Sequence, residues 1–504
     1  MILWKLFSVQ TSYFFPISLW FSLGYYFWKR WSSPPAIDLF SISETIVFLF
    51  GCLNLCFLWI GSHLSKNQSM KEEEENLPFL LSPWPKILIL IPTYKESKNI
   101  LESTFNSFSE LDYDHEQLTI VVSDDGARDW LHHWITTSFP HFHYYCRYNN
   151  DHAKAGNLNH ILFHPMFSHC TDFVLILDAD MNVHPKALYR LLRPFYKYEC
   201  SQWTFDSSII FVQGPQQFSN IQGIDWLGQH YLFFYQVVLP AYDGFSLGVP
   251  CCGTNVLFHL PTFRHLGGFQ YGSITEDFLT SLYFHSLGKK SRYTTQTIAT
   301  GLAPYTFFDF FQQRKRWIIG GFQIIFHPYF LRRWFSLPLS HKWIYSLSAT
   351  IPCLSFCLLV LIMEVFYSFD SFPHQPFWIY TFIYLFGLFF LLRHQSFLVT
   401  FVSISESLYM IFYNLIFFVS FFLQSIRCQK ILFYSTPKEN MSSLCHSFYS
   451  FLLLSPFLLY LGIGTGFFYF FSRFESFLPT LWFILINLQF GCPIFYCLQS
   501  LTIS

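Results

Sequence analysis

The sequence predicts a Rossmann-like α/β domain inserted between transmembrane α-helices, in a polytopic membrane protein. Two observations predict this class. Long apolar runs lie near both ends of the chain, whereas most of the charged and glycine-rich segments lie between them. Within that middle part, three apolar runs of strand length each end in a polar loop, as expected for strands that a parallel sheet buries on both faces.

Composition excludes several classes of protein. Of the 504 residues, 52% are hydrophobic and 12% are charged, whereas an ordinary soluble domain carries about 25% charged residues. The formal net charge is −1, so the chain lacks the basic excess of a nucleic-acid-binding protein and no nucleic-acid partner is expected. The composition favours an integral membrane protein with a water-exposed part, and membrane lipid is its expected surrounding.

Apolar stretches of about 20 residues are candidate membrane spans. Two precede the polar region and the others follow it: 7–28, 40–62, 342–366, 376–393, 449–471 and 477–499. The stretch 396–426 contains Glu406 and is either one more span or a helix lying in the interface. We therefore divide the chain into two N-terminal transmembrane helices, a charged linker, the α/β domain and a C-terminal membrane region, over residues 1–65, 66–84, 85–335 and 336–504.

Charges near the membrane predict which side the domain occupies. Two N-terminal spans leave the N-terminus and the domain on the same side. The loop 367–375 has no Lys or Arg, while the domain is flanked by Lys66, Lys71, Lys86, Arg332, Arg333 and Lys342. Cytoplasmic loops carry the excess of Lys and Arg. Lys29 and Arg30 oppose the assignment, but the balance predicts a multi-pass protein of the inner or plasma membrane with a cytoplasmic domain.

Carboxylates follow two of the three predicted strands, which are 87–91, 118–122 and 173–177. Ligands bind beyond the carboxyl ends of the strands in such sheets. Asp124 and Asp125 follow the second strand, and an ordinary Asp-Gly turn is the alternative. Asp178 and Asp180 follow the third strand. They could hold Mg²⁺ or Mn²⁺ with help from a substrate diphosphate, and a solvated loop is the alternative.

Three further motifs carry chemistry. Lys154 in HAKAGNLN could contact a phosphate beside a helix start, or the motif is only the start of an amphipathic helix. Asp277 in TED could act as a general base, and a helix N-cap is the alternative or an added role. Gln313, Arg316 and Trp317 in QRKRW could bind phosphate and stack on a sugar, or mark an interfacial helix.

The order of these motifs resembles the processive family 2 glycosyltransferases, above all bacterial cellulose synthase catalytic subunits and related β-glucan and mannan synthases. The resemblance rests on PTYKES, DDG, HAKAGNLN, DAD, TED and QRKRW, which lie in that order within 87–318. FYSTPK at 433–438 resembles the FxVTxK gating loop of the family, with Ser435 where Val is usual, within a segment near 428–440. The resemblance implies a GT-A type fold. No PilZ-type domain follows the last apolar run, so regulation by cyclic di-GMP is not expected.

The resemblance implies a role for each matching residue. Asp277 is the expected catalytic base, and Asp178 and Asp180 are the expected ligands of the metal ion. The acceptor end of the glycan is expected to contact Cys252, Gly253, Thr254, Glu276 and Trp317. The nucleotide sugar is expected to contact Asp124, Asp125, Lys154, Asp178, Gln313, Arg316, Trp317, Thr436 and Lys438.

The function implied by the resemblance is inverting, processive polymerisation of a β-linked polysaccharide, exported through the protein's own helices. UDP-glucose and a β-1,4-glucan are the first expectation, with Mg²⁺ or Mn²⁺ as cofactor and the growing polysaccharide as partner. Mannan and β-1,3-glucan are the alternatives for the product. A non-processive transferase acting on a lipid or short acceptor, and a transporter without catalysis, are the competing classes. An accessory export protein is an open possibility.

Overall fold

The computed structural model describes residues 2–31, 39–73, 84–147, 149–167, 171–199, 202–221, 231–246, 248–338, 341–346, 357 and 374–391. Four predictions concern residues outside this part of the chain. They are the gating-loop segment near 428–440 with Thr436 and Lys438, and the apolar stretches 396–426, 449–471 and 477–499. Most of the predicted span 342–366 also lies outside it.

A seven-stranded sheet forms the centre of the α/β domain, and one half of it is parallel. β1 (Ile87–Thr93) lies between β2 (Leu118–Asp124) and β4 (Phe173–Ile176), and β3 (Phe142–Cys146) flanks β2. All three pairings are parallel. The three apolar runs are therefore strands, as the sequence predicts. Their carboxyl ends meet at one edge, where Thr93 pairs with Asp124.

The other half of the sheet is mixed, so the prediction of a fully parallel sheet is wrong. β10 (Val256–His259) runs antiparallel to both β4 and β8 (Ile209–Gln213), and β11 (Lys290–Tyr293) is parallel to β8. Three of the four β10 residues are buried. A short strand buried on both faces has the same apolar composition in either direction, so the sequence pattern does not reveal its orientation.

The remaining elements complete the layers around this sheet. Two smaller sheets contain β5 (Asn182–Val183), β9 (Gln216–Phe218) and β12 (Ala299–Gly301), and β6 (Tyr196–Glu199) with β7 (Gln202–Phe205). The helices of the domain are α3 (Lys98–Ser107), α4 (Asp129–Ser138), α5 (Ala153–Leu162), α6 (Ala187–Leu192), α7 (Leu239–Gly244), α8 (Leu260–His265), α9 (Glu276–Ser286), α10 (Phe307–Ile325) and α11 (Pro328–Arg333).

Side chains on the two faces of β1 enter separate cores. Leu88 and Leu90 pack in one core together with Leu158 of α5. Ile87, Ile89 and Ile91 pack in the other core, to which α3, α4 and α6 contribute Leu101, Leu131 and Leu188. Burial of a large aliphatic side chain contributes about 1.5–3 kcal/mol. This two-sided burial holds the strand ends, and the polar loops that follow them, in fixed positions.

Helices α1 (Ile2–Trp31), α2 (Leu39–Glu73) and α12 (His374–Leu391) share a third core. Within the described residues, one helical segment, Ile42–Ser65 of α2, is long and apolar enough to cross a membrane. Glu44, on this segment, pairs with Arg30 of α1 at 3.0 Å. α2 continues to Glu73, into the segment that the sequence predicts as a charged linker.

A close approach of two backbones joins α2 to the α/β domain. A Cβ atom added to Gly61 would lie 2.3 Å from the carbonyl oxygen of Ala241 on α7. A Cβ added to Gly244 would lie 2.0 Å from the carbonyl oxygen of Gly61. Glycine at these two positions therefore lets α7 contact α2 directly, and the domain is held against the apolar helix.

Candidate functional site

A cleft of about 680 Å³ opens at the carboxyl ends of β1, β2 and β4. Its lining includes residues from every motif that the sequence analysis identifies in the described part of the chain. The predicted site residues that line it are Asp125, Lys154, Asp178, Asp180, Cys252, Gly253, Glu276, Asp277, Gln313, Arg316 and Trp317. The structure therefore brings together segments that are far apart in the sequence.

Asp124 differs from its neighbour Asp125, because it is buried behind the cleft and is not part of its lining. Arg128 donates from Nη2 to Asp124 Oδ1 at 3.0 Å. The N–H groups of Gly126 and Arg128 and the hydroxyl of Tyr144 also donate to this carboxylate. With these donors, Asp124 holds the turn after β2 in shape, while Asp125 faces the cleft.

Arg147 orients the carboxylate of Asp125. Its Nε donates to Oδ1 at 2.6 Å and its Nη2 donates to Oδ2 at 2.7 Å. The same guanidinium donates to the carbonyl oxygens of Asp151 and Ala153. Arg147 thus connects the loop after β2 to the start of α5, and such a bidentate pair has a well-defined geometry.

Local backbone geometry places Lys154 in the first turn of α5. His152 and Ala153 adopt left-handed conformations, with φ of 60° and 45°. A Cβ on Gly156 would lie 2.0 Å from the carbonyl oxygen of Asp151, so the HAKAG sequence needs glycine there. The tight turn that results directs the Lys154 side chain into the cleft.

Lys154 connects the loop after β4 to the loop before β10. Its ammonium donates to Asp178 Oδ1 at 2.5 Å and to the carbonyl oxygen of Gly253 at 2.8 Å. Burial alone would lower the pKa of Lys154, but the carboxylates of Asp178, Glu276 and Asp277 raise it overall. The side chain is therefore a cation at neutral pH.

Asp178 and Asp180 are the carboxylates that could hold a divalent ion. The Asp178 side chain is 36% exposed, and its backbone N–H donates to Thr254 Oγ1 at 2.9 Å. Asp180 is buried, and its Oδ2 accepts from the N–H of Leu302. In the described residues no group of three His, Cys, Asp or Glu side chains is placed to hold a metal ion. Two carboxylates suit Mg²⁺ or Mn²⁺, which take further oxygens from a substrate diphosphate.

The three predicted acceptor residues before β10 differ in position. Cys252 and Gly253 line the cleft, whereas Thr254 is buried below it and supports Asp178. Gly253 has φ of 80°, and a Cβ added there would lie 2.7 Å from Asp277 Oδ2. Glycine at this position therefore allows the loop to approach the Asp277 carboxylate.

Glu276 and Asp277 begin α9 and face the cleft side by side. Burial, together with the charge of Asp277, raises the pKa of Glu276 to about 7. Burial also raises the pKa of Asp277, against the opposing effects of the Phe278 N–H, Lys154 and Arg316. Two adjacent carboxylates with raised pKa values can hold a proton between them and accept one from a bound hydroxyl.

Residues of α10 form another wall of the cleft. Gln313 accepts a hydrogen bond from the Tyr231 hydroxyl at 2.7 Å. The guanidinium of Arg314 lies over the rings of Trp317, Tyr231 and Phe310, at 4.4, 4.7 and 4.8 Å from their centroids. Cation–π contacts of this kind contribute about 0.5–2 kcal/mol each. The orientation of the Trp317 ring is therefore set by its neighbours.

Sequence reasoning did not identify Arg147, Tyr231 or Arg314 as site residues. Arg314 lies inside the QRKRW motif, so the motif itself was a signal for it. Arg147 and Tyr231 lie outside the motifs, and their roles follow from contacts with Asp125 and Gln313. Thr436 and Lys438 are outside the described residues, so their predicted role stays a prediction.

Comparison with known proteins identifies the domain. Residues 88–252 match the family described as Glycosyl transferase family 2, and residues 173–393 match Glycosyl transferase family group 2. The chain is similar to a solved structure of the mannosyltransferase PcManGT from Pyrobaculum calidifontis. The two are 14% identical, with a TM-score of 0.45 over 78% of this chain and 100% of that one.

Curated relatives include several cellulose synthases. A UDP-forming cellulose synthase of Dictyostelium discoideum is 37% identical over 34% of this chain and 16% of its own length. Cellulose synthase 1 of Komagataeibacter xylinus, in its catalytic part, is 29% identical over 49% of this chain and 32% of its own. The alignments thus span a third or less of these two relatives. The chain contains a GT-A-like domain of glycosyltransferase family 2 and is a glycosyltransferase that resembles the catalytic subunits of cellulose synthases.

Proposed function

We propose that this chain is a multi-pass membrane enzyme that polymerises a β-linked polysaccharide from a nucleotide sugar, with inversion at the anomeric carbon. UDP-glucose is the proposed donor and a β-1,4-glucan the proposed product. The catalytic domain is proposed to face the cytoplasm of the inner or plasma membrane. The product would leave through the protein's own helices.

One observation carries the proposal. A single cleft at the carboxyl ends of the strands collects carboxylates, a lysine, an arginine and a tryptophan from five separate segments, represented by Asp125, Lys154, Asp178, Asp277 and Trp317. A nucleotide sugar presents a base, a diphosphate and a sugar, and these residue types suit those parts in turn. The contact of α2 with α7, at Gly61 and Ala241, supports a membrane-side location for the cleft.

The proposed reaction is a single displacement. Asp277 accepts the proton of the acceptor hydroxyl while its oxygen attacks the anomeric carbon and the bond to the nucleoside diphosphate breaks. Asp178 and Asp180 would hold Mg²⁺ or Mn²⁺, whose charge offsets that of the departing diphosphate. Arg316 supplies a further positive charge, and Trp317 offers a flat face to the acceptor sugar. One displacement converts an α-linked donor into a β-linked product.

A non-processive transfer to a lipid or short acceptor is the alternative. Processivity is supported by the QxxRW residues Gln313, Arg316 and Trp317, which line the same cleft as the donor residues. Mannan and β-1,3-glucan are the alternative polymers. The length and the linkage of the product distinguish all of these cases.

The test supplies labelled nucleotide sugars, one at a time with Mg²⁺ or Mn²⁺, to membranes containing the full chain. We expect UDP-glucose to give a long polymer that a β-1,4-specific glucanase degrades. Asp277→Asn should abolish incorporation. Asp129→Asn is the matched control, because Asp129 is exposed on α4 outside the cleft, and it should leave incorporation unchanged. Full activity of Asp277→Asn, or a product of one added sugar, would refute the proposal.

A further inference from the structure

The ammonium group of Lys154 occupies an oxygen that the proposed metal ion needs. Lys154 Nζ lies 2.5 Å from Asp178 Oδ1, and a second hydrogen bond to the carbonyl oxygen of Gly253 holds it there at 2.8 Å. The Lys154 side chain is 22% exposed, so water screens the pair only in part. The cation therefore compensates the charge of Asp178 in the free protein.

The two proposed ligands form a weak metal site on their own. Asp180 is buried and also accepts a hydrogen bond from the Leu302 N–H. Within the described part of the chain, no third His, Cys, Asp or Glu completes the set. An ion bound by the protein alone would have to displace Lys154 from Asp178 and take its other ligands from water.

A nucleoside diphosphate changes both conditions. Its oxygens supply further ligands for the ion. They also offer Lys154 a stronger anionic partner, at the start of α5, where the helix N-terminus favours anions. Once Lys154 moves to the diphosphate, Asp178 Oδ1 is available to the ion.

We propose that Lys154 competes with the divalent ion for Asp178 in the free protein, so that the ion binds well only together with the nucleotide. The inference rests on the proposed function and deepens it by assigning an order to donor and metal binding. It also predicts reciprocal coupling, because each ligand must raise the affinity for the other by the same factor.

The experiment measures Mn²⁺ binding to the purified full chain in detergent, from the electron paramagnetic resonance signal of free Mn²⁺. Each protein is titrated with Mn²⁺ alone and with Mn²⁺ in the presence of UDP. We expect wild type to bind Mn²⁺ weakly alone and at least about tenfold more tightly with UDP. Lys154→Met should bind Mn²⁺ alone about tenfold more tightly than wild type, and UDP should then add less. Lys154→Gln serves as the second variant if Lys154→Met fails to fold.

Arg316→Met controls for a general change in the charge of the cleft. Arg316 interacts electrostatically with Asp178, but Glu276 and Asp277 act on it more strongly, so its loss should change Mn²⁺ affinity less than the loss of Lys154. Equal effects of the two variants, or an unchanged Mn²⁺ affinity in Lys154→Met, would overturn the inference while leaving the proposed function intact. If wild type bound no Mn²⁺ even with UDP, the proposed metal site and the inference would both be wrong.

Discussion

Arg147 and Asp125 form a bidentate ion pair at the edge of the cleft, with N–O distances of 2.6 and 2.7 Å. Both side chains are nearly buried, at 7% and 9% exposure. Loss of one partner of such a pair leaves an uncompensated charge away from water. The pair therefore couples the stability of the domain to the shape of the proposed nucleotide site.

Arg147→Met tests this coupling. We expect the free energy of unfolding to fall by about 3 kcal/mol, because the Asp125 carboxylate loses its partner in a poorly hydrated position. Lys197→Met is the matched control, since Lys197 is half exposed in its pair with Asp206 and its loss should cost under about 1 kcal/mol. Denaturant titrations of the purified proteins measure both values. Equal losses in the two variants would show that burial does not strengthen the Arg147 pair.

Gly253→Ala should impair activity far more than stability. The added Cβ would lie 2.7 Å from Asp277 Oδ2, and the backbone has φ of 80°. Displacement of the proposed base should lower kcat by about a hundredfold. Gly288→Ala shares the strained backbone, with φ of 76°, but its Cβ meets no atom within 4 Å. The control should lose about 1 kcal/mol of stability and keep its kcat.

Arg314→Lys tests whether the aromatic contacts of Arg314 orient Trp317. Lysine retains the charge but loses the planar group that stacks on the rings. We expect shorter polymers, with release of UDP reduced by less than about tenfold, because Trp317 is proposed to hold the acceptor rather than to react. Arg193→Lys is the control, since Arg193 lies 4.3 Å from the Trp203 ring and neither residue lines the cleft. Unchanged polymer length in Arg314→Lys would contradict the proposed role.

Glu276 should make stability depend on pH near neutrality. Its pKa is raised from the ordinary value of 4.5 to about 7, so the folded protein holds this proton more tightly than the unfolded chain. The stabilisation is fully present below about pH 4.5 and is lost as the pH rises through about 7. Glu276→Gln cannot ionise, so its free energy of unfolding should fall less over this interval than that of wild type. Parallel unfolding curves of the two proteins at pH 5, 6, 7 and 8 would contradict the assignment.

Much of the fold was predictable because its signals are local. The runs that became β1, β2 and β4 are continuous and apolar, and each is followed directly by a polar loop. Residues that follow parallel strands must meet at one edge of the sheet, so the convergence of Asp125 and Asp178 followed from the strands alone. The direction of β10 was not predictable, since a strand buried in the sheet has no polar face to mark its neighbours.

The sequence by itself determined where the strands lie and which motifs carry the acidic, basic and aromatic groups, because these are properties of short segments. Only the tertiary structure decided how the groups pair. Lys154 and Gly253 are 99 positions apart and Tyr231 and Gln313 are 82 apart, yet each pair is hydrogen-bonded. Such contacts arise when separate segments pack against one sheet, and a sequence pattern holds no record of distances between them.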